Sequence, residues 1–448
     1  MNFTEFKNAV IAKAQAMGLA EYELYCEFAE STDISVFQHE ISEFSAGTSG
    51  GVCFRTIVNG KMGYASTEAL NEAEAAAIVE RAVDNASVLE AEEPVFLGEG
   101  GKTYNTPERA DYALPGTDEL IRMVLAAQDK LYEADEAVVD GSQSQIMAGS
   151  SRIAICNSKG LDLQYENKLV ALLVAAVVSD GNEKADDYQL KVGAPNTIDT
   201  AALTAKAVDE AKAKLGGQVA PTGNYPVIFN PDAMASLLQV FSGIFSSEAA
   251  QKGLSKLGGQ EGQTIASSVV TLVDDPFYKD SAAPMPFDAE GSPTYKKNII
   301  ENGVFKTLLY NMKTAAVAGV ETTGNASKAG YDAPVGIRPF TFHLAAGEYT
   351  EEQLLQKAGN GVYITALHGL HAGANAVSGD FSLQSSGFMI EDGKKTIPVR
   401  SFTVAGNFYE LLKNITAVAD NVTLPMAIGK TAFGAPSVLA EGLSIAGK

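Results

Sequence analysis

Apolar residues recur every three or four positions at the start of the chain, at Phe3, Phe6, Val10, Ala14 and Met17, and Gly18 follows. That spacing gathers them on one face of a helix, and a glycine just past the last of them suits a helix C-terminus. Strand-like runs come next, at residues 23–28, 34–44 and 52–58. Asn59-Gly60 then separates two such segments, as a tight hairpin turn requires. Asn71 and Glu74 have capping-box spacing and predict a helix to about Val88. A second helix, over residues 117–134, sets Leu120, Ile121, Val124 and Leu131 on one side. Strands resume at Val138 and run through 152–156, past a turn at 157–160, to an unbroken apolar run at 169–178 that reads as a buried strand. A helix over 200–215 ends in Gly216-Gly217.

The Gly/Pro-rich stretch QVAPTG is the expected boundary between an N-terminal domain, 1–220, and a C-terminal one, 221–448. The second half opens with a short strand at 226–229. Asn230-Pro231 then provides a helix cap followed by a first-turn proline. Leu237, Leu238, Phe241, Ile244 and Phe245 form the apolar face of that helix. Short apolar runs follow, punctuated by Asn302-Gly303 and Asp392-Gly393, with one further helix at 350–358. The fold class is therefore α+β: a helix/antiparallel-sheet domain followed by a mainly β domain, barrel- or sandwich-like.

Charge narrows the partners. Against 33 Lys+Arg stand 55 Asp+Glu, a net charge of −22, and the basic residues are scattered. Such a surface repels nucleic-acid phosphates and anionic headgroups, so no direct nucleic-acid or membrane partner is expected. Cys26, Cys53 and Cys156 have no ligand-like spacing and sit in apolar runs, which fits buried thiols in a reducing compartment. The first ten residues lack a basic-then-apolar leader pattern, and the 169–178 run is too short to span a bilayer, which takes ~20 residues. A cytoplasmic location follows as the expectation.

Three constellations bear on chemistry. HGLHAGANAVSGDFSLQSSGF holds His368, His371, Ser378 and Asp380. As a catalytic triad it lacks a Gly-x-Ser-x-Gly elbow, and strand alternation puts Ser378 and Asp380 on one face without His371. As a metal site it offers His-x-x-His with Asp380 as a third ligand. As a glycine-punctuated β segment it permits close backbone approach, the reading favoured here. PFDAEGSP places Asp288 and Glu290 two apart, either an acid/base pair or a solvated turn, and the flanking prolines favour the turn. No phosphate-binding glycine loop is present.

Several segments, in order, resemble the TldD/PmbA family, whose members are often labelled modulators of DNA gyrase. They are GVCFRTIVNGKMGYAST, PVIFNPDAMASLLQ, KGLSKLGGQEGQTIAS, PFDAEGSP, IENGVFKTLLYNMKTA, TTGNAS, GANAVSGDFSLQSSGFMIEDGK and PVRSFTVAGNF, spread over about residues 30 to 440. In that family the TldD-type subunit resembles a zinc peptidase, with a helical HExxxH motif and a cysteine near the C-terminus as ligands. Aligned on Lys252-Gly253, the HExxxH window falls on LQVFSG, Leu238 to Gly243, and 416–440 contains no cysteine. The resemblance therefore implies the PmbA/TldE-type subunit, with no catalytic residue, metal or cofactor of its own. It implies a zinc-bearing TldD-like partner in a heterodimer, or pairing with itself, and an unfolded or short peptide as substrate. The expected substrate-binding residues are Gly373, Asn375, Ser378, Gly379, Asp380, Phe381 and Gly387, with the edge of this β segment taking up an extended peptide by strand addition. Two alternatives stay open: a homodimeric hydrolase using Asp288, Glu290, His368 or His371, and a non-enzymatic homodimeric scaffold.

Overall fold

A computed structural model describes the chain except residues 91–93, 109–111, 280, 282–283, 429 and 448, and the side chains of 425–428. Helix α1, Phe3–Ala16, is capped by Asn2 and Glu5 reciprocally and buries Phe6, Val10 and Ala14, as the spacing requires. Strand β1, Tyr22–Phe37, pairs along its whole length with β2, Glu40–Val58. The turn between them, Gln38-His39, falls inside the expected 34–44 run and carries no glycine, asparagine or proline. Both residues adopt positive φ, 50° and 63°. Tertiary contacts hold it there: His39 stacks at 4.7 Å on Tyr132 and lies 2.9 Å from Asp129.

Strands β3 (Lys61–Thr67), β4 (Gln143–Asn157), β5 (Asp162–Ser179) and β6 (Lys184–Val192) complete a six-stranded antiparallel sheet of order β3-β2-β1-β4-β5-β6. Even-numbered residues of β1 and β4 face the helices throughout. Near Leu24, Cys26, Ala154 and Cys156 the cover is α1 and α2 (Glu72–Ser87). Near Ile34, Ile146 and Leu172 it is α3 (Thr117–Ala134) and α4 (Thr200–Ala213). Asn71 caps α2 from one side only, accepting the Glu74 amide, because the Glu74 carboxylate is taken by Arg81. At Val138 there is an isolated bridge to Val178 rather than a strand. The 169–178 run is not buried on both faces. Val170, Leu172, Val174, Ala176 and Val178 are buried, while Leu169, Leu173, Ala175 and Val177 stay half-buried.

In the second half, β7 (Gln218–Val219) and β8 (Gly223–Phe229) precede α5, Pro231–Phe241, which has Asn230 as cap and Pro231 in its first turn. A 3-10 turn, Ser242–Phe245, then carries Ile244 and Phe245 into the core. Helices α6 (Ser247–Gln251), α7 (Met312–Ala318) and α8 (Glu351–Ala358) are short. One sheet has the order β11-β10-β9-β14-β20-β19. Its strands are β9 (Leu272–Asp274), β10 (Lys297–Glu301), β11 (Val304–Phe305), β14 (Thr341–Leu344), β19 (Thr423–Ile428) and β20 (Thr431–Ala435). Strands β12 (Ala326–Lys328) and β13 (Val335–Ile337) form a separate pair.

The remaining strands close a barrel. They are β15 (Gly361–His368), β16 (Asp380–Glu391), β17 (Lys394–Asn407), β18 (Ile415–Val418) and β21 (Val438–Ala446), with α9 (Leu370–Gly373) and α10 (Phe408–Asn414) between them. Because β21 pairs with both β8 and β17, the five strands β8-β15-β16-β17-β21 form a ring. Leu237, Leu238 and Phe241 of α5 share one core with Leu383, Val404 and Phe408 of this unit. The fold is α+β with a barrel in its second half. No helix among the described residues is long and apolar enough to cross a membrane.

Candidate functional site

Between β15 and β16 the chain makes a knot of short-range bonds. Asn375 Oδ1 accepts the Val377 and Ser378 amides at 3.0 and 3.1 Å, and its carbonyl accepts the Gly379 amide at 2.8 Å. Gly379 has φ +86°, and a Cβ there would lie 2.5 Å from the Tyr409 ring. Asp380 accepts from Asn407 Nδ2 at 2.7 Å. That bond and the Ser378 hydroxyl hold its carboxyl below the usual range. The Ser378 hydroxyl accepts the Asp380 amide at 3.2 Å, and the Ser378 carbonyl accepts Lys256 Nζ at 2.8 Å. His368 and His371 are exposed. Among the described residues no bond joins either to Ser378 or Asp380, and no group of three His, Cys, Asp or Glu could hold a metal.

The strand-addition expectation needs correcting. Residues 384–390 of β16 pair with β15 on one side and β17 on the other, and Phe381 bridges to Ala374. No edge is left for a peptide there. A Cβ on Gly387 would lie 1.9 Å from the Tyr363 carbonyl, so the backbone this glycine admits is the chain's own. Phe381 is a core residue, its ring 6.3 Å from Phe241. Of the seven expected residues, Asn375, Ser378 and Gly379 lie in the loop between α9 and β16, Gly373 ends α9, and Asp380, Phe381 and Gly387 belong to β16. A free edge exists elsewhere. Among the described residues strand β6 pairs only with β5, and its Tyr188, Leu190 and Val192 line a cleft of about 600 Å³ together with Tyr278 and Leu424. The polar sequence of β6 hides it from an apolar-alternation reading. Its one signal is the alternation of Tyr188, Leu190 and Val192.

The window aligned with HExxxH occupies the end of α5 and the start of the 3-10 turn. Leu238 and Phe241 are fully buried, Phe241 stacking on Phe408 at 4.5 Å. Zinc needs His nitrogen, Cys sulfur or carboxylate oxygen. Leu238 and Gly243 offer none of these, and the Ser242 hydroxyl donates to the Gln239 carbonyl at 2.9 Å. The residues present do not fit a zinc ion. All three cysteines lie buried in the first sheet, where loss of solvent pushes the Cys26 thiol up to about 12.

PFDAEGSP is a turn, but not a solvated one. Phe287 and Ala289 pack with Tyr25, Ile153 and Ile155 of the first sheet, which carries Asp288 and Glu290 inside at 2% and 4% exposure. Asp288 accepts the amides of Glu290, Ser292 and Ala326 at 2.9, 2.9 and 3.0 Å. Glu290 accepts the Met312 amide at 2.8 Å. Burial pushes both carboxyls up. Asp288 is restrained by its three amides, while Glu290 is raised further by the Asp288 charge, against a pull from Arg55. Arg55 itself is buried and bonded to Glu23 at 2.7 Å. Each acid therefore takes up a proton more readily than a free carboxyl does. Phe287 and Ala289 on either side of Asp288 were the signal for this burial.

Comparison with known proteins places these features. Three family profiles match in order: PmbA/TldA metallopeptidase domain 1 over 22–86, the central domain over 111–215 and the C-terminal domain over 222–447. A crystal structure from Thermotoga maritima, titled a modulator of a DNA gyrase, superposes with TM-score 0.90 at 31% identity, covering 99% of this chain and 100% of that one. TldE from Thermococcus kodakarensis superposes with TM-score 0.88 at 25% identity, covering 98% and 99%. A protein named metalloprotease from Methanothermobacter thermautotrophicus is 26% identical over 89% of this chain and 87% of its own length.

Proposed function

Starting from the chain's membership of the PmbA/TldD metallopeptidase family, we propose that it is the TldE-like subunit of a two-chain peptidase, supplying cleft and interface while a TldD-type partner carries the zinc. One observation carries the reading: the helix positions that align with the metal ligands hold Leu238, buried in the core, and Gly243, which has no donor atom. The likeness to TldE supports the same assignment. The substrate is an unfolded or short peptide. Its extended backbone meets the edge of β6 that has no strand partner among the described residues, beside the cleft. The loop Gly373–Asp380 supplies a second contact surface.

Reconstitution tests this. Purified alone, the chain should bind no stoichiometric zinc and leave a disordered peptide intact. Mixed with a TldD-type chain, it should form a stable complex that cleaves the peptide and contains zinc. About one zinc per chain in the isolated protein, or hydrolysis by it alone, overturns the assignment.

A further inference from the structure

The place where a TldD-type chain would hold its metal is not filled solid. A cavity of about 330 Å³ opens at the end of α5, lined by Gly243, Ser246, Leu309, Arg338, Thr431 and Phe433 among others. We propose that it is a carboxylate-binding pocket, with Arg338 as the anion-binding group, and that it takes the carboxylate of a peptide. The proposal rests on the reading of this chain as the metal-free counterpart, and replaces the lost ligands with a different chemistry at the same place.

Four features point to an anion. First, the lining contains no Asp or Glu. Second, Arg338 has no hydrogen-bond or ion-pair partner for its guanidinium among the described residues. Arg55, Arg81 and Arg400 each hold a glutamate, as a chain of net charge −22 makes easy. Arg338 is exposed, so its guanidinium is open to a ligand arriving from solvent. Third, the backbone of Arg338 is fixed at both ends. Its amide donates to the Asn325 carbonyl at 3.1 Å, and its carbonyl accepts Asn325 Nδ2 at 3.0 Å. Asn325 is itself bonded to buried Asp274 at 2.7 Å. The fork therefore starts from a rigid base, which reduces the entropy lost when it closes on a ligand. Fourth, Leu309, Ile337, Pro339 and Phe433 give the cavity apolar walls beside the exposed Arg338, so a ligand can set its charge at the mouth and its apolar part inside.

Ser246 adds a second donor. Among the described residues no partner occupies its hydroxyl, whereas Ser242 and Thr431 donate to the Gln239 and Pro339 carbonyls. A guanidinium fork and one hydroxyl suit the two oxygens of a carboxylate, and the apolar walls suit the aliphatic part of the residue bearing it. The carboxylate is either a C-terminus or an Asp or Glu side chain, which the test separates.

The experiment uses the full chain alone and needs neither partner nor turnover. A fluorescent hexapeptide of Ala and Gly with a free C-terminus is titrated by anisotropy, beside its C-terminal amide and an amide carrying one central Glu. The free acid should bind at least ~10-fold tighter than the plain amide. Arg338→Met, which keeps length and removes charge, should abolish that difference, while Arg122→Met on the distant α3 should leave it. Ser246→Ala should reduce it a few-fold. Tighter binding of the Glu-containing amide than of the free acid would assign the pocket to side-chain carboxylates. Equal binding of acid and plain amide, an Arg338→Met chain that still discriminates, or equal competition by phosphate and chloride would overturn the proposal. A chain that hydrolyses peptide alone would sink the partner-subunit reading without touching this result.

Discussion

Two stretches of this chain look alike on paper and end in opposite surroundings. PFDAEGSP and SGDFSLQSSGF each set an aspartate among glycine and serine. Asp288 is covered by the first sheet and accepts three backbone amides, yet its carboxyl is pushed up. Asp380 is exposed, bonds one asparagine and one serine, and its carboxyl is held down. Proton affinity therefore follows cover more than hydrogen-bond number, since desolvation penalises the charged form before any donor can compensate. The first stretch builds a seam between halves, and the second builds a surface.

The glycines give the largest way to break this contrast. Gly387→Val puts a side chain 1.9 Å from the Tyr363 carbonyl, inside a strand paired on both sides, and the barrel cannot open locally to admit it. Destabilisation on the order of 4 kcal/mol or more is expected, read from the denaturant midpoint. Gly379→Val meets the movable Tyr409 ring and a strained φ, and should cost about 1–3 kcal/mol. If Gly379→Val proves the worse, the surface loop carries more of the fold than its exposure suggests.

Next comes Asp288→Ala. Three buried amides lose their acceptor together, and a loss of roughly 3–5 kcal/mol is expected from summed desolvation of the orphaned groups. A thermal midpoint within a degree or two of the parent would show that water reaches the seam, and the comparison would collapse.

Helix α3 was legible, because the spacing of its apolar residues is a local signal. So was the Asn230-Pro231 start of α5. What failed to show was set by distant partners. The Gln38-His39 turn is held by Asp129 and Tyr132 on another element. Strand β6 owes its existence to β5, and ring closure of the barrel joins β21 to strands on both sides. The candidate residues from Gly373 to Asp380 were expected on a β segment, whereas they run from the end of α9 through a loop to the first residue of β16. The role assigned to Gly387 required knowing that β17 returns alongside β16, which no stretch of a dozen residues encodes.

The carboxylate pair sharpens the comparison by pH. Glu290 titrates up to about 7 in the folded chain, above the ordinary carboxylate value of about 4.3. With the folded value raised, protonation stabilises the fold fully below the unfolded pKa, and this contribution is lost as pH rises toward the folded one. Glu290→Gln keeps an acceptor for the Met312 amide and removes the titration. The variant should match its parent near pH 4 and exceed it at pH 8 by on the order of 1–3 kcal/mol, seen as a difference in melting curves across that range. A difference independent of pH would mean that Glu290 holds no proton.

The smallest effect belongs to the exposed partner in the comparison. Asp380→Ala removes the carboxylate's bonds to Asn407 Nδ2 and the Ser378 hydroxyl, both within reach of water, so each lost bond is replaced by a hydrated one. Its folded carboxyl is held low, so its contribution is present above the unfolded pKa and disappears as pH falls through the folded value, opposite in sign to Glu290. Ser378→Ala leaves the Ser378 carbonyl and its Lys256 contact untouched. Both variants should unfold within about 1 kcal/mol of the parent. In a complex with a TldD-type chain, Ser378→Ala should keep most peptide turnover, because the hydroxyl is taken up by the Asp380 amide and carboxylate and, among the described residues, bonds neither histidine. A loss of ~10²-fold in turnover with the fold intact would make Ser378 a chemical participant. The surface stretch, not the buried one, would then be the reactive member of the pair.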